Sequence, residues 1–353
     1  MPHTEFFVTV NGSPITSTLL PLLISMTITD SDGGKSDTLE IELDDEGGDI
    51  ALPPTNASIE AGIYRVGDDG EDLGPPVMFE GKVDKPTSSG SRGGGMTLTI
   101  SAKSADVKGK PKAHQQMHHD KGKLSQVAKT FGQASGLEVE VADGVDIERD
   151  YWAMQGESFL NWGARIAHEI GATFKVRNGK AIFAERSSGM SLGGAALPTV
   201  HAVRPGNVIS WQMSPVDDRQ DWEKFQVRYY DPKAAKYEVE DVEARSRPGS
   251  VTHLDRFNHA DKGSAKARGK SNSTEADRDK GGGTITLDGE PTAQSEATCI
   301  VTGIRPGIDG AYRIKTARHR LTRGQGYVTE LELAQPSGDA GTDDRGADGG
   351  ASE

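Results

Sequence analysis

From residue 38 to 44 the chain reads TLEIELD. Leu39, Ile41 and Leu43 fall on one side of an extended backbone and Glu40, Glu42 and Asp44 on the other, the period of a half-buried strand. The same alternation returns at 328–333, with Thr329, Leu331 and Leu333 facing one way and Val328, Glu330 and Glu332 the other. Runs rich in β-branched and aromatic residues predict further strands at 5–10, 25–29, 58–64, 77–83 and 96–102, and again at 208–213, 225–231, 237–244, 284–287, 299–302 and 312–315. Gly, Pro and Asp-Gly pairs punctuate these runs, so antiparallel strands joined by tight turns are expected. The Ser/Gly-rich piece at 88–95 is predicted to be a flexible hairpin tip.

Between about 106 and 186 the period changes. Leu124, Val127, Ala128 and Phe131 sit at i, i+3, i+4 and i+7, one face of a helix that Gly136 would close. A second helix is predicted over 157–170, with Phe159, Trp162, Ile166 and Ile170 as its apolar stripe and Gly171 at its C′ position. In FKVRNGKAIF the Asn178-Gly179 pair predicts a type I′ hairpin that aligns Phe174 with Phe183 and Val176 with Ala181. This helix-helix-hairpin unit is expected to bury its helices on its own hairpin. Residues 255–283 carry Lys262, Lys266, Arg268 and Lys270, then Glu275, Asp277 and Asp279, with no apolar stripe; a solvated helix or a partly ordered loop is expected there. Residues 335–353 are Gly-, Asp- and Ala-rich without a hydrophobic anchor and read as a disordered acidic tail.

The expected architecture is therefore mainly β with an α+β insert. Two antiparallel β-barrels cover residues 1–105 and 187–334, the second interrupted at 255–283, and a small helix-helix-hairpin domain covers 106–186. Three stretches carry a family resemblance. The first is ordered along some fifty residues: Thr286, Leu287, Gly289 and Pro291, then Gly303, Asp309, Gly310, Tyr312 and Ile314, then His319, Leu321, Gly324, Gly326, Thr329 and Leu331. The second is the LEIELDD strand and the third the 157–174 stretch with its ESFL opening and GATF close. Together they resemble the late control protein D family of contractile-tailed phages, the baseplate hub, which is related to the front part of VgrG spike proteins. The resemblance implies tail-tube-like barrels and a homotrimer whose six similar units surround a channel, joining a hexameric tail tube to a trimeric central spike. It implies as partners the tail tube protein, the spike protein, other baseplate proteins and the tape measure protein, on a virion tail baseplate assembled in the host cytoplasm. The family's fusion of hub to spike is missing after Leu333, so a separate spike chain is expected. A tail-associated cell-wall hydrolase and a type VI secretion spike-like protein are the rival readings.

Composition bounds these readings. At 353 residues the chain is long enough for two or three cores, and 44 glycines suit strands and turns better than long helices. A formal net charge of −13 argues against specific nucleic-acid binding, which draws on clustered Lys and Arg; in a ring, an acidic lumen would repel passing DNA. The single cysteine, Cys299, excludes an internal disulfide and reads as a small buried strand residue. The apolar cluster at 19–26 is broken by Pro21 and too short to span a bilayer or serve as a signal core. Neither a membrane span nor export by a signal peptide is expected.

Candidate chemistry is sparse. His114, His118 and His119 beside Asp120 contain an i, i+4 histidine pair that could share a cation on a helix, but KAHQQMHHDKGK lacks apolar support, and a solvated loop or helix start is expected. Gly269-Lys270-Ser271 ends like a phosphate-binding loop, yet the required first glycine falls at Ser264. Gly90 to Gly95 lack the strand and helix of a dinucleotide site. Glu157 and Glu169 could be nominated as a glycosidase pair, with Glu157 more simply supporting its helix start. The basic run 262–270 lacks the interleaved aromatics of a nucleic-acid contact, and Trp152, Trp162, Trp211 and Trp222 are read as core or interface anchors. No catalytic, cofactor or metal residue is assigned, and a structural protein is expected.

Overall fold

The computed structural model describes residues 3–33, 35–104, 109–177, 179–186, 196–216, 220–244, 249–278, 280–343 and 345. Strands β1 (His3–Val10), β2 (Ser13–Pro14), β3 (Leu23–Ser31), β4 (Thr38–Asp44), β5 (Ser58–Val66), β6 (Val77–Ser91) and β7 (Gly95–Lys103), with the one-turn helix α1 (Thr16–Leu19), fill the first part of the chain. The alternation works as expected in β4, whose Leu39, Ile41 and Leu43 are all buried. The expected flexible tip at 88–95 is instead a paired ribbon, because β6 and β7 continue their register from Thr87↔Thr99 to Ser91↔Gly95. Backbone hydrogen bonds hold it although its side chains are polar and small.

The insert contains β8 (His114–Lys123), α2 (Leu124–Ala134), β9 (Glu138–Val141), β10 (Glu148–Ser158), α3 (Phe159–Ile170), β11 (Ala172–Arg177) and β12 (Lys180–Glu185). Ser158 caps α3 by accepting from the Asn161 backbone N–H, and Gly171 ends it in the left-handed region at φ 72°. β11 and β12 pair with Phe174 opposite Phe183 and Val176 opposite Ala181; the turn type expected at Asn178 lies outside the described residues. The core of this part is made of residues between Leu124 and Phe183, so the helices do pack on their own hairpin. The segment from His114, expected as a loop or helix start, is a ten-residue strand paired to β10. Along it Gln115, Met117 and His119 are half-buried and Gly122 is buried, and so narrow a contact leaves no apolar signature.

The last part runs through β13 (Val200–Val203), β14 (Val208–Ser214), β15 (Trp222–Asp231), β16 (Lys236–Glu243), β17 (Val251–His259), α4 (Lys262–Arg278), β18 (Gly282–Asp288), β19 (Thr298–Thr302), β20 (Gly310–Thr322) and β21 (Gly326–Ser337). The strands expected in two separate barrels lie in one 13-stranded sheet, ordered β14-β18-β21-β20-β3-β4-β7-β6-β5-β1-β2 with β19 and β13 branching from β20. No pairing among the described residues joins the two ends of that order. The link is β20: its first residues pair with β19 and its last seven, from Thr316, with β3. The β20–β21 hairpin thereby feeds two cores. Leu321 and Tyr327 join the first, around Met26, Ile41 and Phe79, while Ile314, Leu331 and Leu333 join the second, around Ile285 and Val301.

Three expectations for the end of the chain are corrected. β15 and β16 do not continue the large sheet but form a separate three-stranded sheet, β16-β15-β17, with α4 against one face. α4 itself is a packed 17-residue helix, neither solvated nor a loop. Its contact face consists of Ser264, Ala265, Gly269, Ser271, Asn272 and Ser273, small side chains that let the backbone come close and give no hydrophobic period. The tail expected to be disordered from 335 is docked up to Asp343: Ala340 packs on the second core, the Gly341 N–H donates to the Gly307 carbonyl, and Asp343 pairs with Arg305 at 3.1 Å. Residues 344 and 346–353 lie outside the described residues.

His319, on β20, is wholly enclosed. Nε2–H donates to the Ala293 carbonyl at 3.0 Å, so in the neutral ring Nδ1 is left to accept from the Tyr327 hydroxyl, 2.8 Å away. Burial pushes the His319 pKa down to about 4, although the bond to Ala293 resists that. Below its ordinary value of 6.5 the unfolded chain takes up a proton that the folded chain refuses. Stability should therefore be intact above that value and fall by up to about 3 kcal/mol as pH drops toward about 4. Urea midpoints measured from about pH 7.5 down to about 4 test this, and a His319→Gln variant should lose that share of the slope.

Candidate assembly surfaces

Where the insert meets the large sheet, β11 has both faces covered. Phe174 and Val176 face its own helices, while Thr173 and Lys175 turn toward the end of β3. Lys175 Nζ lies 2.6 Å from Asp30 and 2.8 Å from Asp37, with its side chain 8% exposed. Asp30 also accepts from the Ser295 backbone N–H at 2.8 Å and the Ser295 hydroxyl at 3.0 Å, tying in the second core. Burial raises the Asp30 pKa, but the charge and hydrogen bond of Lys175 outweigh it and hold the carboxyl at about 2. Burial and then the Asp30 charge push Asp37 up to about 6, with Lys175 offsetting only part of that. One ammonium shared by two carboxylates is thus the bolt between three parts of the chain.

A second ionic cluster lies alongside. Arg278, at the end of α4, contacts Glu296 at 2.6 Å and Asp32 at 3.0 Å, and Arg313 reaches Asp32 at 2.7 Å. It fastens α4 to the turn after β3 and to β20. Charges with this much burial are expensive to leave alone, so they fix the orientation of the parts they join.

The sequence-nominated residues do not converge. In a strand, His114 and His118 stand about 13 Å apart along the chain, and His119 points to the other face; no group of three or more His, Cys, Asp or Glu among the described residues could hold a metal. Glu157 and Glu169 both bind Arg165, at 2.5 and 3.0 Å, and Glu169 also binds Arg149 at 2.8 Å. Burial raises the Glu169 pKa, but the two guanidinium groups more than offset this and hold it below the ordinary value; a glycosidase acid needs the reverse. Gly269, Lys270 and Ser271 sit in the interior of α4, where an added Cβ at Gly269 would strike Val242 and the Ser271 hydroxyl donates to the His168 carbonyl. Gly90 and Gly95 belong to the β6–β7 ribbon. Trp152 and Trp162 are buried, Trp222 stacks edge-on with His253, and Trp211 is exposed under the Arg204 guanidinium. Cys299 is buried in β19, and burial pushes its thiol pKa up to about 12, far from a reactive thiolate.

What the surface offers is edges and apolar side chains. Among the described residues β14 pairs only with β18, and it presents Ile209 and Trp211 at the end of the 13-stranded order. Of the exposed large hydrophobic residues, Tyr230, Tyr237, Val239, Val251, Leu254 and Phe257 all belong to the three-stranded sheet. Such concentrations mark interaction surfaces, since single exposed apolar residues would scatter.

No protein-family model matches the chain. Over 275 residues, 78% of this chain and 67% of the relative, it is 27% identical to a probable baseplate hub protein of Escherichia phage 186. It is also 28% identical over 203 residues to a probable baseplate hub protein of Escherichia phage P2, a match spanning 57% of this chain and 50% of that one. The chain is a homologue of phage baseplate hub proteins. Its fold is also that of the 43 kDa tail protein of prophage MuSo2 from Shewanella oneidensis, with a TM-score of 0.69 covering 94% of this chain and 98% of the other at 17% identity.

In this hub homologue the motif residues are placed structurally. Asp309 accepts from the backbone N–H groups of Gly303, Ile304 and Arg305, closing the turn before β20. The Tyr312 hydroxyl donates to the Ile308 carbonyl, and an added Cβ on Gly289 would strike the Tyr327 ring. Sequence reasoning missed the two ionic clusters. The one available signal was Lys175 itself, a charge between the apolar Phe174 and Val176 in a strand expected to belong to the insert's core.

Proposed function

We propose that this chain is a structural baseplate hub of a contractile tail, forming a trimeric ring between a hexameric tail tube and a trimeric spike. The observation that carries this is one sheet that supplies two β cores in tandem and leaves bare edges, combined with kinship to phage hub proteins. Three copies, each with two such β units, would offer six near-equivalent surfaces to the tube and three distinct ones to the spike. Binding would then use broad preformed strand surfaces in place of a pocket. The insert 106–186 and the α4-backed sheet would be outlying units held in fixed orientation by the Lys175 and Arg278 clusters. The tail baseplate is the corresponding location. Native mass spectrometry of the purified chain should give a mass three times its 37.6 kDa, and co-expression with the adjoining tube and spike chains should yield a complex containing all three. A chain that stays monomeric with those partners present would sink the reading.

A further inference from the structure

Outside the 13-stranded sheet lie, among others, the β8–β10 ribbon and the β16-β15-β17 sheet. Arg149 and Tyr151 of β10 and Phe257 and His259 of β17 line one cleft together with residues of α3 and α4. β8 pairs with β10 and β16 with β15, so each is an edge strand with one side that leaves a line of backbone N–H and C=O groups without a strand partner among the described residues.

The two edges carry opposite charge. Along β8 and the turn before it, Lys110, Lys112, Lys121 and Lys123 stand against Asp120 alone, in a chain whose net charge is −13. Among the described residues none of these four lysines has an ion-pair partner. β16 carries Glu238, Glu240, Asp241 and Glu243 against Lys236. Lys236, Lys262 and Lys224 bridge the first three acids, while Glu243 and the nearby Glu223 stay unbridged. Both edges also hold exposed aromatic side chains: Tyr151 stacks with His118 beside β8, and Tyr230 meets Tyr237 edge-on beside β16.

We propose that the basic β8 edge of one copy docks on the acidic β16 edge of the next copy, so that head-to-tail contact closes an outer belt around the ring. This rests on the ring reading above and names the surfaces that make it. The occupant is a second copy because one chain supplies both halves of a charge-complementary pair of free edges, as a heterologous contact between identical copies requires. Unbridged lysines facing an acidic strand also steer approach and select register.

Charge reversal tests it in the full chain. Lys112→Glu with Lys121→Glu, and separately Asp241→Lys with Glu243→Lys, should each weaken self-association about tenfold or more at low salt. The chain carrying all four changes should return to near wild-type association, because the charges are then exchanged and not lost. Sedimentation velocity over a concentration series reads all four proteins. Recovery cannot come from misfolding, so the fourfold variant is its own control. If the wild type forms a ring and either pair of reversals leaves it unaltered, or the fourfold variant stays as weak as the worse pair, the belt is wrong and the ring stands. A monomeric wild type would overturn both.

Discussion

Replacing Lys175 with methionine should cost about 3–5 kcal/mol, because it leaves two carboxylates, Asp30 and Asp37, buried beside each other without a counter-charge. Methionine fills the same space, so the loss would be electrostatic. The deficit should depend on pH with a definite sign. Asp37 already has its folded pKa raised to about 6, above the ordinary carboxylate value of 3.8. Its contribution is fully present below 3.8 and is lost as pH rises through about 6. Removing Lys175 exposes that cost, and the variant should be closest to wild type near about pH 4 to 5 and furthest from it at about pH 7.5. A chain that also carries Asp30→Asn and Asp37→Asn should recover most of the loss, since a neutral trio needs no ammonium. Chemical denaturation at several pH values decides the matter; a Lys175→Met protein as stable as wild type at neutral pH would mean that water already reaches the cluster.

The second large effect is expected at Trp162. It is fully buried in the insert, with Phe131 at 5.1 Å between ring centroids, Phe159 at 5.7 Å, Phe183 at 6.2 Å and Trp152 at 6.4 Å. Trp162→Ala removes the centre of that aromatic cluster and should cost about 3–5 kcal/mol through lost burial and the cavity left behind. Trp162→Phe should be far milder, because the indole N–H has no hydrogen-bond partner to lose. Hydrogen exchange adds the location of the damage. The insert's core contains only its own residues, so protection should fall across β8 to β12 while β3, β4 and β20 keep theirs. Uniform loss over the whole chain would show that the insert does not open as a unit.

Whatever depends on side-chain period is legible in the sequence alone. β4 and β21 each present one apolar face to a core, α2 and α3 carry stripes at helical spacing, and Gly136 and Gly171 stop them. The ordered motifs from Thr286 to Leu331 likewise mark the hairpin that feeds two cores and point to the hub resemblance. α4 escapes because it packs through serines, glycine and asparagine, and β8 because three half-buried residues among exposed ones resemble a loop. No local signal tells that β15 and β16 leave the large sheet, since a strand's period is the same in either place.

The sequence by itself therefore determined the strands with a clear alternation or a β-branched run, the two stripe-bearing helices and the kinship with hub proteins, because each is written in residues close together along the chain; β8, β9, β10, β13 and β17 carried no such signal. Which strands join which sheet, that Lys175 is shared by Asp30 and Asp37, and that β8 and β16 end up as edge strands were decided only by tertiary structure. The Lys175 bolt joins residues 145 positions apart in the chain, and burial, which turns an ordinary lysine into a bolt, is a property of the packed whole.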